Sequence, residues 1–197
     1  PWQGLRVSIE DKIARFDWSR IQTYVGHAEM VPDTVRGLVA ATDEKEAARL
    51  GQWIEHVLLS VAGPCEACAP VATLLVATLT EMTPAGHRVA LDLLSLIAAA
   101  QSTGHEQIGA VDVKEIRQAV AGGFQHYAAV LRSESSSDAE LYSCIDLIDI
   151  LAFHDPSLAA EAIAVLKAIR TDGRAPGITV SIDNTLDDLT GASSDPS

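Results

Sequence analysis

The stretch DEKEAARLGQWIEHVLLSVAGP, residues 43–64, decides how the rest of the chain is read. Asp43 is a favourable N-cap, because its carboxylate can accept the otherwise unpaired N–H groups of a first helical turn. Glu44 and Glu46 fall in that turn, where acidic side chains meet the positive end of the helix dipole. Behind the cap, Leu50, Trp53, Ile54, Val57, Leu58 and Val61 recur at three- and four-residue steps, the period of one helical face. Gly63-Pro64 then stops the run. The stretch reads as a capped, one-sided helix.

The same punctuation recurs on both sides. A second helix is expected from about Cys65 to Met82, with Cys68, Val71, Leu74, Leu75, Thr78 and Leu79 inward and Pro70 in its opening turns. Thr83-Pro84 is a cap followed by proline at the first helical position. The helix it opens carries Val89, Leu93, Leu94, Leu96 and Ile97 and ends near Gln101. A polar loop through Gly104 and Gly109 follows. Asp112 then caps Val113–Leu131, with Ile116, Val120, Phe124, Tyr127 and Leu131 on its stripe. Gly122-Gly123 inside that helix costs about 1 kcal/mol of propensity per glycine, so the pair marks a kink or a close approach. After a serine-rich break at Ser133–Ser137, Asp138–His154 carries Leu141, Cys144, Ile145, Ile148 and Leu151. Asp155-Pro156 starts a further helix, with Leu158, Ala162, Val165, Leu166 and Ile169, that ends at Asp172-Gly173.

Residues before Asp43 read as shorter helices near Ile9–Phe16, Ser19–Gly26 and Pro32–Ala41. Ile178–Ile182 reads either as an isolated strand or, with Leu186, as apolar residues laid along the last helices. The expected fold class is therefore all-α. Helix pairs at Asp43–Met82, Thr83–Arg132 and Asp138–Gly173 have the period of HEAT and armadillo arrays, in which neighbouring pairs bury each other's faces. This predicts a short right-handed α-solenoid over residues 1–173 and an acidic Ser/Asp/Gly-rich tail over 174–197. A closed helix bundle is the alternative.

Composition narrows the function classes. The 197 residues hold 27 acids against 14 Lys and Arg, a formal charge of −13. That balance excludes the basic footprint of a nucleic-acid binder and argues against an anionic membrane surface. Uncharged stretches such as Ala67–Thr80 and Leu93–His105 fall short of the roughly 20 apolar residues a membrane span needs. At 48% hydrophobic the chain is too apolar to be disordered. No basic and then apolar leader opens it at Pro1, and three cysteines cannot all pair, so a reduced cytoplasm is the expected compartment. The charge is uneven: 0 over residues 1–42, −4 over 43–133, −6 over 134–173 and −3 over 174–197.

Candidate chemistry is sparse. Cys65-Glu66-Ala67-Cys68 matches a redox motif in text, but that motif belongs to a strand–helix context absent here. A zinc site would need two further ligands, such as His56 or Cys144, to converge on it. His27, His56, His87, His105, His126 and His154 form no metalloprotease pattern and are expected at loop or solvent positions. No serine elbow and no phosphate-cradling glycine loop is present. No catalytic residue, cofactor or metal is expected. On Asp138–His154, Glu140, Ser143, Asp146 and Asp149 follow three-residue steps, so the carboxylates share a patch and repel unless something positive meets them. A metal or a basic partner would serve; a plain solvated face is the simpler alternative.

Tyr24-Val25-Gly26-His27-Ala28-Glu29-Met30-Val31-Pro32, followed by Val35-Arg36-Gly37-Leu38, resembles the opening of a family of small bacterial HEAT-repeat-like proteins, with its Tyr-Gly-x-Ala-x-x-Val-Pro pattern. Gly63-Pro64-Cys65-Glu66-Ala67-Cys68-Ala69-Pro70-Val71 is similar to that family's segment between its first two long helices. The family's Tyr-Gly becomes Tyr24-Val25-Gly26 here, and its His-Gln is replaced by Val61-Ala62. The resemblance covers about the first half of the chain and implies an immunity-type protein encoded beside a secreted toxin. It brings no active site. The expected function is then a non-enzymatic protein-binding module that occludes a basic toxin, using Glu140, Asp146, Asp149 and Glu161 with Tyr142 as an aromatic anchor. A helical scaffold or homo-oligomer is the alternative, and a thiol- or metal-dependent enzyme using Cys65 and Cys68 a more distant one.

Overall fold

The computed structural model describes residues 8–102, 108–172 and 176–191. The sequence caps are where the helices start. After α1 (Ile9–Ile13) and α2 (Val31–Ala40), Asp43 accepts the Lys45 and Glu46 amides at 2.9 and 3.0 Å and opens α3 (Glu44–Leu58). Thr83 accepts the Gly86 amide and opens α5 (Pro84–Ala99), which follows α4 (Cys68–Thr78) and a single 3-10 turn. Asp112 opens α6 (Val113–Ala121), and Ser137 with Glu140 forms a reciprocal capping box on α8 (Asp138–His154). Asp155 accepts the Ser157 amide at 3.0 Å at the head of α9 (Pro156–Asp172).

Four segments depart from the expected reading. α3 stops at Leu58, and the chain turns through a two-residue antiparallel hairpin of β3 (Leu59–Ser60) and β4 (Gly63–Pro64). Val61, assigned by period to the buried stripe, sits at its tip, 101% exposed. The last α3 carbonyls are taken by other segments: Tyr24 N–H donates to Val57 O and Cys65 N–H to Leu58 O, both at 3.0 Å. Gly63 turns at φ +110°, and a Cβ there would lie 2.5 Å from the Gln101 carbonyl oxygen, so only glycine fits.

Ser19–Gly26, expected as a helix, instead contains the hairpin of β1 (Gln22–Thr23) and β2 (Gly26–His27). The Tyr24 hydroxyl donates to Gly63 O at 3.1 Å and ties the two hairpins together. The expected helix Val113–Leu131 is broken at Gly122-Gly123 into α6 and α7 (Phe124–Arg132). The Tyr127 hydroxyl, which donates to Val120 O at 2.9 Å, occupies the space a Gly123 side chain would need. Finally, the candidate strand near Ile178–Ile182 lies in a 3-10 turn and α10 (Thr179–Gly191). A lone strand leaves its backbone unpaired, whereas a helix satisfies its own N–H and C=O groups. Ile178, Ile182, Leu186 and Leu189 are buried there, while Val180 faces solvent.

The described residues are mostly helical, the two hairpins being their only strands, and one hydrophobic core runs from Ile13 to Leu189. Helices two or three apart in sequence pack together: α3 on α5, α5 on α8 and α8 on α10, with α4 on α6 and α7 on α9. Sequence neighbours α4–α5, α5–α6, α7–α8, α8–α9 and α9–α10 also touch. The first expected pair is looser than predicted, because α3 packs more closely on α5 than on α4. No helix among the described residues is long and apolar enough to cross a membrane.

Candidate functional site

α8 is packed by α5, α7, α9 and α10, so most of its circumference is covered. The row Glu140, Ser143, Asp146, Asp149 is consequently split into different environments. Ser143 is buried and donates to the Asp92 carboxylate of α5 at 2.5 Å and to Ala139 O. Glu140 is 16% exposed and accepts hydrogen bonds from Ser137 N and Oγ and, at 2.7 Å, from His87 Nδ1. Burial works to raise its carboxyl, but the Ser137 and His87 hydrogen bonds outweigh that and hold it below the usual carboxylate range.

Asp146 and Asp149 have no such donors. Burial raises the Asp146 carboxyl. Burial, then the charges of Asp188 on α10 and of Asp146, raise that of Asp149. None of the three forms an ion pair among the described residues. Packing α10 on α8 thus adds a third carboxylate to the two the sequence pairs. The other expected contacts have hydrogen-bond partners of their own. The Tyr142 hydroxyl donates to Gly177 O at 3.0 Å, holding the turn before α10. Glu161 on α9 accepts from Gln125 Nε2 of α7 at 2.9 Å.

The structure also assembles a group that the sequence reading placed at the surface. His87 (α5) and His126 (α7) meet Nε2 to Nε2 at 2.8 Å, with rings edge to face at 5.1 Å. With Glu140 ionised, His87 donates from Nδ1 to it, so in the neutral pair His87 Nε2 accepts from His126 Nε2–H. Burial, and secondarily the charge on His87, pushes His126 below the ordinary imidazole range. The relay borders a cavity of about 430 Å³ that includes Ser133, Ser135 and Ser136. These serines bond elsewhere: Ser136 donates to Val130 O, and Ser133 and Ser135 bond each other. Among the described residues no hydroxyl is hydrogen-bonded to either imidazole, and the relay ties three helices together. Separations of 39 and 53 residues explain why no local pattern marked it.

Cys65 and Cys68 are buried, with their thiols donating to Val57 O (3.6 Å) and Leu58 O (3.4 Å). The neighbouring Cys68 thiol lowers the Cys65 thiol, and the neighbouring Cys65 thiol, with burial, raises Cys68. Cys144 is buried on α8, where desolvation raises its thiol. Among the described residues no three His, Cys, Asp or Glu side chains are grouped to hold a metal ion.

No protein-family model, curated protein or solved structure matches this chain.

Proposed function

We propose that the protein is a non-enzymatic binding module whose α8–α10 face takes a basic protein partner, in the manner of an immunity protein that occludes a toxin. The observation that carries this reading is the meeting of Asp149 with Asp146 and Asp188 without an ion-pair partner among the described residues, the Asp146 and Asp149 carboxyls being raised. Half-desolvated like charges destabilise the free protein, and an incoming Lys or Arg relieves them. The net charge of −13 adds long-range steering of such a partner. Phe153, 66% exposed on the same helix, supplies an aromatic side chain for contact beside Tyr142. The packing of α3, α5, α8 and α10 in succession, with α4 on α6 and α7 on α9 beside them, supports a short HEAT-like solenoid as the scaffold.

The test is affinity capture from the host at low and moderate salt, with the wild-type chain and an Asp146→Lys/Asp149→Lys variant as parallel baits. The expected result is one basic protein held by the wild type, released as salt rises and lost from the variant. Equal capture by both baits would sink the acidic-face reading. Homo-oligomerisation is a second reading, favoured by exposed Val25, Met30 and Val61 on and beside the two joined hairpins. Light scattering of Val61→Ser against wild type decides it, a shift to lower mass being the supporting result.

A further inference from the structure

A second concave site lies away from the acidic patch, where the outer face of α6 meets the last turn of α8. Lys114, Arg117 and Ala121 fall at i, i+3 and i+7 on α6 and so share a stripe. Leu151 and His154 close the other side, around a cavity of about 380 Å³. That volume lies within the range of small-molecule sites, about 300–1,000 Å³.

The charge of this cavity runs against that of the chain. In a protein with 27 acids and 14 Lys and Arg, neither Lys114 nor Arg117 has an ion-pair partner among the described residues. Arg117 donates from Nε to Ala98 O at 3.3 Å, which fixes the guanidinium and leaves its two terminal nitrogens without a described acceptor. The one carboxylate in the lining, Asp155, is engaged at the head of α9, accepting from Ser157 N at 3.0 Å and Ser157 Oγ at 2.6 Å. Burial lowers Arg117, which stays a cation, and burial together with the Arg117 charge lowers His154. Around these heads the wall is apolar, formed by Leu151, Ala121 and the stems of the basic side chains.

We propose that this cavity binds a small organic anion, a carboxylate or a phosphomonoester on an apolar body. Lys114 and Arg117 meet its charged group, with His154 beside them, and Leu151 and Ala121 cover the body. A guanidinium fixed at Nε presents its remaining N–H groups as a fork suited to two anionic oxygens. Two bases in one concavity do not make the extended phosphate track a nucleic acid needs. A concave, partly enclosed site suits a small ligand better than a flat protein surface.

The experiment titrates benzoate, phenyl phosphate and inorganic phosphate into the full chain at low ionic strength, following heat and the methyl resonances of Leu151 and Ala121. At least one organic anion is expected to bind saturably and to move both sets of methyl signals. Preference for phenyl phosphate marks a phosphomonoester site, and preference for benzoate a carboxylate site. Lys114→Gln and Arg117→Gln are each expected to weaken binding about tenfold, the scale of one charge-assisted hydrogen bond. The Lys114 side chain is exposed and free of intramolecular bonds among the described residues, so Lys114→Gln retains the wild-type melting temperature and keeps the test clear of misfolding. The proposal is overturned by no saturable binding of either organic anion, or by binding unchanged in both variants. Inorganic phosphate binding as tightly as phenyl phosphate overturns it too, since the apolar wall then contributes nothing. So does binding of an oligoglutamate peptide when neither organic anion binds, which would make this a protein-docking surface.

Discussion

The first turn of α8 and its middle carry carboxylates within three helical turns of each other in opposite situations. Glu140 receives three hydrogen bonds, two from Ser137 and one from His87, and its ionised form is stabilised by the fold. Asp146 and Asp149 receive none; burial opposes the ionised form of both, and the charges of Asp188 and Asp146 add to it at Asp149. The same chemical group thus supports folding at one end of the helix and resists it a few residues on. What differs is the supply of donors from α5 and from the capping serine, against the supply of a like charge from α10. A carboxylate kept where it weakens the fold is where binding function is to be sought.

The largest expected effect is at the supported end. Glu140→Ala removes half of the capping box and leaves the His87 Nδ1–H without its acceptor, a loss of about 2 kcal/mol measurable by urea denaturation. A loss below a few tenths of a kcal/mol would mean that Ser137 and the helix dipole hold this end without Glu140.

Next comes the pH dependence of the relay. His126 is depressed below its ordinary 6.5, so its contribution to stability is full above 6.5 and is lost as pH falls below that value toward and through the folded pKa. His126→Gln, which can still donate to His87 Nε2, is expected to flatten that part of the melting-temperature profile. Glu140 adds a further loss at lower pH, as it is protonated below its ordinary 4.5.

The smallest effect has the opposite sign. Raised carboxyls make the fold gain relative stability as pH falls through their folded pKa values toward 3.8. Asp149→Asn is accordingly expected to stabilise the protein at neutral pH by a few tenths of a kcal/mol, after solvent screening. Added salt should shrink that gain, which differential scanning calorimetry at two salt concentrations would read. A destabilised Asp149→Asn would remove the physical ground for the acidic-face proposal.

These contrasts also mark what was legible in the chain. Asp43, Thr83 and Asp112 sit where the helices start, and Asp138–His154 matches α8 end to end, because capping and 3.6-residue period are local. The hairpins were not legible. Two-residue strands have no period, and they depend on positive-φ Gly26 and Gly63 and on bonds such as Tyr24 to Val57 that cross the chain. α10 did leave a signal, since Ile178, Ile182, Leu186 and Leu189 keep helical spacing beneath a β-branched run that reads as strand. Asp146 and Asp149 were paired by their i, i+3 spacing. Asp188, His87 and His126 joined only through tertiary packing, which no short window contains.

α10 has one more consequence, in the timing of synthesis. It is the last described helix to leave the ribosome, yet it covers apolar side chains of α8 and α9 that are already made. Until Ile182, Leu186 and Leu189 emerge, the nascent chain carries an unroofed oily flank. A chain cut short before Thr179 should therefore accumulate in the insoluble fraction even with every earlier helix intact.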